Sequence, residues 1–491
     1  MPPITRPSEI SLLRTFLSDN DYTQEGLRSL FGKGRRSEPA PQINPGDAPL
    51  LARRTRGAGA LGILADWFTL GLSVGGDRAR AEIPADVLTA ALSSGLIEGD
   101  GNSLEPAVAI GVFDDRLITM ETTAAHRKRE IADLALPVNP TTHQLFSSLI
   151  RSRSKRSLEI GCGPGPLTLH ARRFSDRVVG ADINPRALAF SRFNAALNAV
   201  EGVSFCRADA MAPFGGKFDR IFSNPPYYIT PGNRLLYCEN PDELDGFCER
   251  LTRQAIPLLS EGGYFQMLLD WVEVRGEIPE DRIRRWTAGS GCDVLLIRRP
   301  KRSLDEACWR MLRETEPDET KVTAERLEEW IRYFENRNVQ AVHGGILTLR
   351  KRSGHNWFRA EHMNEQATAR FGDVVERMFE GYTFSAQASN ETLLDTKPIL
   401  VAGAKLEKNA DYQEGYWVAG RAFLRSSAGQ GMRFKVDPAA ERFLERLKGA
   451  KTLLEVVSGM PDRPGMSRES LTEELVSLVR RLLEFGHVRL G

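Results

Sequence analysis

The chain has 491 residues, 41% of them hydrophobic and 27% charged, which is the composition of a globular protein with two or three domains. Its 66 basic and 65 acidic residues give a net charge of +1, which excludes a chain-wide electrostatic footprint for nucleic acid but not a local patch. No apolar run approaches the length of a membrane span, and MPPITRPSEISLL lacks the features of a secretory signal, so we expect a cytoplasmic protein.

Residues 1–125 form the first predicted domain. GILADWFTLG predicts one helix, and PADVLTAALSSGLIEGDG predicts a second that starts near Pro84. SLEPAVAIGVFDDRLITME predicts two strands that turn at Asp114 and Asp115. Helices followed by a hairpin suggest a winged-helix-like accessory α+β module, which would bind nucleic acid or cap the next domain. RRSEPAPQINPGDAP (35–49) predicts a surface loop.

Residues 126–360 form the second predicted domain, in which short apolar strands alternate with helices. SLEIGC precedes the helix PLTLHARRF, and RVVGADI precedes the helix PRALAFSRFNAALN. Further strands are predicted at VSFCRAD, FDRIFSN, GGYFQMLLD, DVLLIRR and ILTLRKR. This alternation predicts the α/β class, with a Rossmann-like, doubly wound and mostly parallel sheet. Residues 304–320 are charged, show no strand pattern and are expected to form an insertion.

Residues 361–491 form the third predicted domain, whose first part looks irregular. YWVAGRAFLR and MRFKVD then predict strands. AAERFLERLKG, TLLEVVSGM and SRESLTEELVSLVRRLLEFG show helical spacing, and HVRLG predicts a last strand. From about residue 415 onward this pattern predicts a second winged-helix-like module.

LEIGCGPGPL (158–167) is a strand that runs into a glycine-rich turn and then a helix. Its glycines lie at 161, 163 and 165, and Pro166 stands where the dinucleotide fingerprint has its third glycine. Asp182 ends the next strand and can accept hydrogen bonds from both ribose hydroxyls of a nucleoside. Glu159 suits a cationic ammonium better than a pyrophosphate, and Asp209 is placed to meet an adenine edge.

These motifs belong together in one family. Residues 137–350 resemble the class I S-adenosylmethionine-dependent methyltransferases, with EIGCGPG, GADIN, RADA and SNPPY similar to their first four motifs. The resemblance implies that S-adenosylmethionine is the cofactor. It also implies a cofactor-binding set of Glu159, Gly161, Gly163, Gly165, Asp182, Ile183, Asp209, Ala210 and Asn224.

FSNPPYYITPG (222–232) holds the predicted catalytic residues, Asn224, Pro225 and Tyr227. Methyl transfer to a planar NH2 group is helped by two acceptors that fix the nitrogen and free its lone pair. The Asn224 side-chain oxygen and the Pro225 carbonyl would be those acceptors, held rigid by the prolines. Tyr227 would stack on the flat amide or base. This chemistry is positioning, and it requires no strong general base.

The NPPY sequence resembles two sets of enzymes, which methylate either protein glutamine or the exocyclic amine of adenine or guanine. PVNPTTHQL (137–145) matches the release-factor methyltransferase motif P-R-P-E-T-E-x-L in part, at Pro140, Thr142 and Leu145. It departs from that motif at Val138, Asn139, Thr141 and His143. The predicted substrate-binding residues are Pro140, Thr142, Pro226, Tyr227 and Tyr228.

A side-chain amide of a protein or peptide is the first choice of substrate. The C-terminal segment supports it, because that segment resembles PqqD-like peptide-binding domains, which would hold a peptide at a strand edge. The alternative is an exocyclic amine of an RNA or DNA base, favoured by the N-terminal module and by basic clusters at 126–129, 151–156 and 298–302. The sequence is also compatible with a homodimer.

Two further sets of residues bear on the substrate cleft and on metal binding. Trp357 and Phe358 would line a substrate cleft or pack the joint to the third domain. The six cysteines contain no C-x-x-C pair and no histidine at metal spacing, so we expect reduced thiols and no metal site.

Overall fold

The computed structural model describes residues 2–4, 6–32, 48–122, 134–135, 137–232, 239, 242–316, 322–363, 370–426 and 429–491. The basic cluster at 126–129, Cys238 and most of the predicted loop at 35–49 lie outside these residues. Within them, no helix combines the length and the apolar character needed to cross a membrane.

The described N-terminal part contains helices and short strands. The helices are α1 (Pro7–Asp19), α2 (Gln24–Phe31), α3 (Ala48–Thr55), α4 (Gly59–Phe68), α5 (Gly76–Glu82) and α6 (Ala85–Ser93). The strands are β1 (Val74–Gly75), β2 (Ile97–Gly99), β3 (Ser103–Pro106), β4 (Ala109–Phe113) and β5 (Arg116–Met120). Strands β1, β3 and β2 form an antiparallel sheet in that order, and β4 pairs with β5.

The predicted turn at Asp114 and Asp115 is borne out, and both residues have positive φ, at 49° and 60°. This is the conformation that a two-residue hairpin turn requires, and aspartate tolerates it. The Asp114 carboxylate meets the Nδ1 atom of the buried His170 at 2.5 Å, so the turn lies against the central part of the chain.

The central part contains a large mixed sheet. Its strands are β6 (Ser154–Ile160), β7 (Ser175–Asp182), β8 (Val203–Arg207), β9 (Phe218–Ser223), β10 (Leu259–Val274), β11 (Cys292–Arg298), β12 (Arg302–Ser303), β13 (Val339–Lys351) and β14 (Phe358–His362). Its helices are α7 (Pro140–Ser148), α8 (Pro166–Ala171), α9 (Pro185–Leu197), α10 (Gly246–Ala255), α11 (Pro279–Thr287), α12 (Leu304–Thr315) and α13 (Ala324–Glu335).

The strand order is β14-β11-β13-β10-β9-β6-β7-β8, with β12 paired to β13. Strands β8, β7, β6, β9 and β10 are parallel, whereas β13 is antiparallel to both β10 and β11. The predicted mostly parallel, Rossmann-like sheet is therefore confirmed. Because β6 has β7 on one side and β9 on the other, the strand order reverses there, and such a point opens a crevice at the carboxyl ends of the strands.

The C-terminal part contains helices α14 (Phe371–Gln387), α15 (Asn390–Leu394), α16 (Pro438–Leu444), α17 (Leu453–Ser458) and α18 (Arg468–Glu484). Its strands are β15 (Pro398–Leu400), β16 (Ala404–Gln413), β17 (Tyr416–Ser426), β18 (Gly429–Val436) and β19 (Val488–Leu490). Strand β15 pairs with β19, and β16, β17 and β18 form a separate antiparallel sheet.

One expectation about local structure is corrected, and a second gains detail. The first part of the third predicted domain is not irregular, because α14 occupies 17 residues there and packs in the core of the central sheet. The charged segment that begins at residue 304 is mostly helix α12, whose Met311 and Leu312 are buried. Trp357 packs on Phe379 and Tyr382 of α14, with ring centroids 5.0 Å apart in each pair, so it lies at the joint to the third predicted domain.

Helix α9 joins the N-terminal part to the central sheet. Its Phe190 and Phe193 are fully buried in the N-terminal core. Asn194 donates from Nδ2 to the Thr119 carbonyl at 3.0 Å and accepts at Oδ1 from the Thr119 backbone N–H at 2.8 Å. The same helix begins directly after β7, so the N-terminal part is attached to an element that borders the crevice.

Candidate functional site

A cavity of about 400 Å³ lies at the reversal of strand order. Among the residues that line it are eleven of the predicted set and several others. The predicted residues at its wall include Glu159, Gly161, Gly163, Asp182, Ile183, Asp209, Ala210, Asn224, Pro225 and Pro226, and Thr142 lies there too. A cavity of this size fits a nucleoside-sized ligand.

The glycine turn and Asp182 are bound to each other. The backbone N–H of Gly163 donates to Asp182 Oδ2 at 2.8 Å, and the N–H of Asn184 donates to Oδ1 at 2.9 Å. Gly163 has φ of 54°, so this turn uses a conformation that most residues avoid. Burial raises the pKa of Asp182, and the two backbone donors act against that shift. The carboxylate is therefore fixed at the cavity wall.

Glu159 is a buried acid at the floor of the cavity. Its side chain is 2% exposed and accepts a hydrogen bond from the Thr168 hydroxyl. Burial raises the pKa of Glu159 to about 8, because a carboxylate loses hydration there and gains little in return. A cationic ligand group beside it would reverse that cost.

Asp209 also lines the cavity and differs from these two acids in its exposure. Its side chain is 72% exposed, and it lies 3.9 Å from Nη1 of Arg250. Arg250 also donates to Asp242 at 2.9 Å and stacks on the Phe247 ring at 4.8 Å. Sequence reasoning missed Arg250, Phe247 and Asp242 at the wall. The available signal was the helical spacing of Phe247 and Arg250 in GFCER.

The Asn224 amide is oriented by a hydroxyl from helix α7. Asn224 Nδ2 donates to Thr141 Oγ1 at 3.0 Å, and Thr141 Oγ1 donates to Asn139 Oδ1 at 2.8 Å. The Tyr227 hydroxyl also bonds to Thr141. A threonine hydroxyl has one proton, and Thr141 donates it to Asn139, so Asn224 must present its nitrogen to Thr141.

The opposite atom, Asn224 Oδ1, is therefore turned away from Thr141. It is buried and has no hydrogen-bond partner among the described residues. An unsatisfied buried acceptor costs free energy unless a ligand supplies a donor. Thr141 was missed as a functional residue, because in the sequence it only replaced a glutamate of the release-factor motif.

Four residues of the predicted set are not at the cavity wall. Gly165 has φ of 84°, and a Cβ there would lie 3.3 Å from the side chain of Ser191, so this glycine lets α8 approach α9. Pro140 is the first residue of α7, behind a capping box formed by Asn139 and Thr142. Tyr227 is 4% exposed, and its ring meets that of Tyr228 edge-on at 5.4 Å.

Comparison with known proteins agrees with this geometry. The model of the methyltransferase small domain family matches residues 137–269. "Putative protein N5-glutamine methyltransferase MJ0928" of Methanocaldococcus jannaschii is 31% identical over 153 residues, which are 28% of this chain and 77% of that protein.

Two other relatives match shorter shares of their length. The release factor glutamine methyltransferase of Deinococcus radiodurans is 36% identical over 90 residues, 18% of this chain and 32% of that protein. The ribosomal RNA small subunit methyltransferase C of Erwinia tasmaniensis is 29% identical over 175 residues, 33% of this chain and 48% of that protein. The chain thus spans less than half of the length of either.

The mostly parallel sheet with a cavity at the reversal of its strand order defines a Rossmann-like domain. The chain belongs to the methyltransferase small domain family, and it is an S-adenosylmethionine-dependent N-methyltransferase. The residues present fit this cofactor. Asp182, Glu159 and Asn224 all line the cavity. The Asp182 carboxylate is fixed there, the Glu159 carboxyl group is buried, and Asn224 Oδ1 has no hydrogen-bond donor among the described residues.

Proposed function

We propose that this enzyme methylates the side-chain amide of a glutamine or asparagine in a protein or peptide. The observation that carries the proposal is the buried Asn224 Oδ1, which has no partner among the described residues and whose direction is fixed by Thr141. A primary amide NH2 supplies the donor that this oxygen lacks. The N5-glutamine relative, of which the chain covers 77%, supports an amide over other planar nitrogens.

In this proposal the protein acts by holding the acceptor nitrogen. The bound cofactor supplies an electrophilic methyl group. Asn224 Oδ1 and the Pro225 carbonyl accept the two N–H bonds, which localises the nitrogen lone pair and directs it. Pro225 is buried and its neighbour Pro226 restricts the backbone, so the two acceptors keep a fixed separation. The nitrogen that has gained the methyl group is strongly acidic, so its extra proton passes to water.

The roles of the remaining wall residues are part of the proposal. Asp182 binds the ribose hydroxyls, Glu159 binds the ammonium group of the methionine moiety, and Asp209 meets the adenine edge between Ile183 and Ala210. Stacking by Tyr227 stays a prediction, since its ring is buried beside Thr141 rather than at the wall. Its hydroxyl bond to Thr141 supports an indirect role through Asn224.

An exocyclic amine of a nucleic-acid base is the second candidate. The order helix α4, β1, α5, α6, β2 and β3, with an antiparallel sheet in the order β1-β3-β2, supports the predicted winged-helix-like module. Such a module could deliver nucleic acid to the cavity. The basic clusters at 151–156 and 298–302 give this candidate less support, because Arg153 pairs with Asp176 and Arg298 pairs with Glu280.

The test uses methyl-labelled S-adenosylmethionine, the full-length protein and a cell extract that is afterwards divided between protease and nuclease. The proposal expects macromolecular label that protease removes and nuclease leaves, with mass spectrometry placing the methyl group on an amide. Label removed by nuclease would establish the second candidate instead. The Asn224→Ala variant serves as the control for label that does not come from this enzyme.

A further inference from the structure

A cluster of arginines contacts helix α7, which carries Thr141, and Tyr228 in the loop that carries Asn224. It consists of Arg299, Arg302 and Arg310, and they come from the end of β11, from β12 and from α12. Arg299 Nη1 reaches Gln144 Oε1 at 3.4 Å, one helical turn beyond Thr141 on α7. Arg310 lies over the Tyr228 ring at 4.9 Å. The cluster therefore contacts the same helix and loop that carry Thr141 and Asn224.

The cluster carries more positive than negative charge. Asp270 is fully buried and pairs with Arg299 at 3.1 Å and with Arg310 at 3.0 Å. Glu314 lies 3.9 Å from Arg310 and is about half exposed. Among the described residues, no ion pair involves Arg302. The three guanidinium groups thus face two carboxylates, and one positive charge is left over.

Several donors in this cluster are buried and unused. Arg299 Nε, Arg302 Nη1 and Arg310 Nε have no hydrogen-bond partner among the described residues. Burial, and then the like charges of Arg310 and Arg299, lower the pKa of Arg302. Unpaired, partly buried positive charge is unfavourable, and an anion that enters the cluster would relieve it.

The backbone beside the cluster leaves little free space for another side chain. At Gly344 on β13, a Cβ would lie 2.5 Å from Arg299 Nη2 and 2.6 Å from Asp270 Oδ1. Glycine at this position therefore allows the ion pair to lie directly on the strand. The arginine side chains remain partly open to solvent, with 18% of Arg299 and 24% of Arg310 exposed. A ligand group can reach the cluster from that side.

We propose that Arg299, Arg302 and Arg310 form a subsite for a carboxylate of the acceptor peptide, next to the amide that is methylated. The inference rests on the proposed amide function. A carboxylate fits because it carries the single negative charge that the cluster lacks, and because the planar guanidinium fork binds it through two parallel hydrogen bonds. A nucleic-acid backbone would need a row of unpaired basic residues, whereas Arg153, Arg298 and Lys301 each face an acid.

The test is a library of synthetic peptides, each with one central glutamine and randomised flanking residues. The full-length protein and S-adenosylmethionine are added, and the methylated peptides are identified by mass spectrometry. We expect aspartate or glutamate to be enriched about tenfold at a flanking position, because a hydrogen bond to a charged group contributes that much. Arg302→Gln should abolish the enrichment, and Arg302→Lys should restore part of it.

The matched control is Arg313→Gln, an exposed arginine on the same helix as Arg310, which should keep the wild-type preference. Calorimetry with S-adenosylmethionine checks that each variant is folded and binds cofactor. Methylation of peptides without any acidic preference would overturn the subsite and leave the proposed function standing. No methylation of any peptide, with transfer to a random-sequence oligonucleotide instead, would overturn the proposed function and the carboxylate subsite together.

Discussion

On one half of the cavity, which we call the cofactor half, the carboxylates of Glu159 and Asp182 are held by neighbours close in the chain. On the other half, the acceptor half, the Asn224 amide is held by Thr141, which is 83 residues away, and an arginine cluster contacts the same helix and loop. The first arrangement comes from one strand–turn–helix unit and the next strand. The second is assembled from helix α7, the loop after β9 and the far end of the sheet.

This difference separates what the fold supplies from what the individual chain supplies. Carboxylates at the ends of β6 and β7 follow from a parallel sheet, whose crevice lies at its carboxyl edge. The orientation of Asn224 depends on a threonine where the release-factor motif has a glutamate. Substitutions on the two halves should accordingly affect different constants.

The largest effect is expected for Asn224→Ala. Loss of the acceptor oxygen should reduce kcat by about 10²- to 10³-fold, the range for removal of one preorganised polar group. The affinity for S-adenosylmethionine should change little, because Asp182 and Glu159 remain. Radiolabel transfer and calorimetry measure the two quantities, with the exposed Asn102→Ala as a control. Turnover close to wild type would show that Asn224 is not an acceptor for the substrate.

Asp182→Ala should have the opposite profile. Its carboxylate would accept two ribose hydroxyls, and loss of charged hydrogen bonds of this kind weakens binding by about 10- to 100-fold. Asp209→Ala should weaken binding less, since that side chain is 72% exposed and lies beside Arg250. Titration calorimetry compares the two variants. Equal affinities in wild type and Asp182→Ala would remove Asp182 from the cofactor half.

Glu159 should make cofactor binding depend on pH. In the free protein its pKa is about 8, so at neutral pH the carboxyl group is mostly protonated. Binding an ammonium group requires the charged form, so the proton must be released. The affinity should therefore rise with pH, by up to about tenfold per unit below pH 8. Glu159→Gln should remove both the dependence and the proton release.

The same shift has a consequence for folding. A carboxyl group whose pKa is higher in the folded state than in the unfolded state stabilises the fold at low pH. That contribution is lost as the pH rises through about 8.

For the pH dependence of cofactor binding, calorimetry in buffers of different ionisation enthalpy measures the proton that Glu159 releases. A wild-type affinity that is flat between about pH 6 and 8 would contradict the role of Glu159.

Much of the fold could be predicted, because buried parallel strands appear as short apolar runs between helices. Helix α14 could not be predicted from the sequence, and its residues FGDVVERMFEGYTFSAQ show the reason. Gly372 and Gly381 disfavour a helix. However, a Cβ at Gly372 would lie 1.9 Å from the backbone oxygen of Leu149, and a Cβ at Gly381 would lie 2.1 Å from that of Leu483. These glycines allow close packing, which is a tertiary requirement.

The candidate site divides in the same way. Residues that follow a strand, such as Asp182 and Asn224, could be placed from the sequence because the strand fixes the edge where they lie. Thr141 and the pairing of Asp270 with two arginines could not, since each acts through a partner that only the folded chain brings near. Glu159 could be placed, but the raised pKa depends on burial that the sequence does not report.

Thr141→Val should have the smallest effect and is the sharpest probe of the acceptor half. The variant keeps the size of the side chain and removes the hydroxyl, so Asn224 loses the bond that fixes its amide. We expect kcat to fall by about fivefold, since one hydrogen bond contributes about 1 kcal/mol, while cofactor affinity stays unchanged. Thr141→Ser restores a hydroxyl that can donate to Asn139 and accept from Asn224, and should recover most of kcat. If valine and serine lowered kcat equally, the methyl group rather than the hydroxyl would matter. The amide direction would then be set by something other than Thr141.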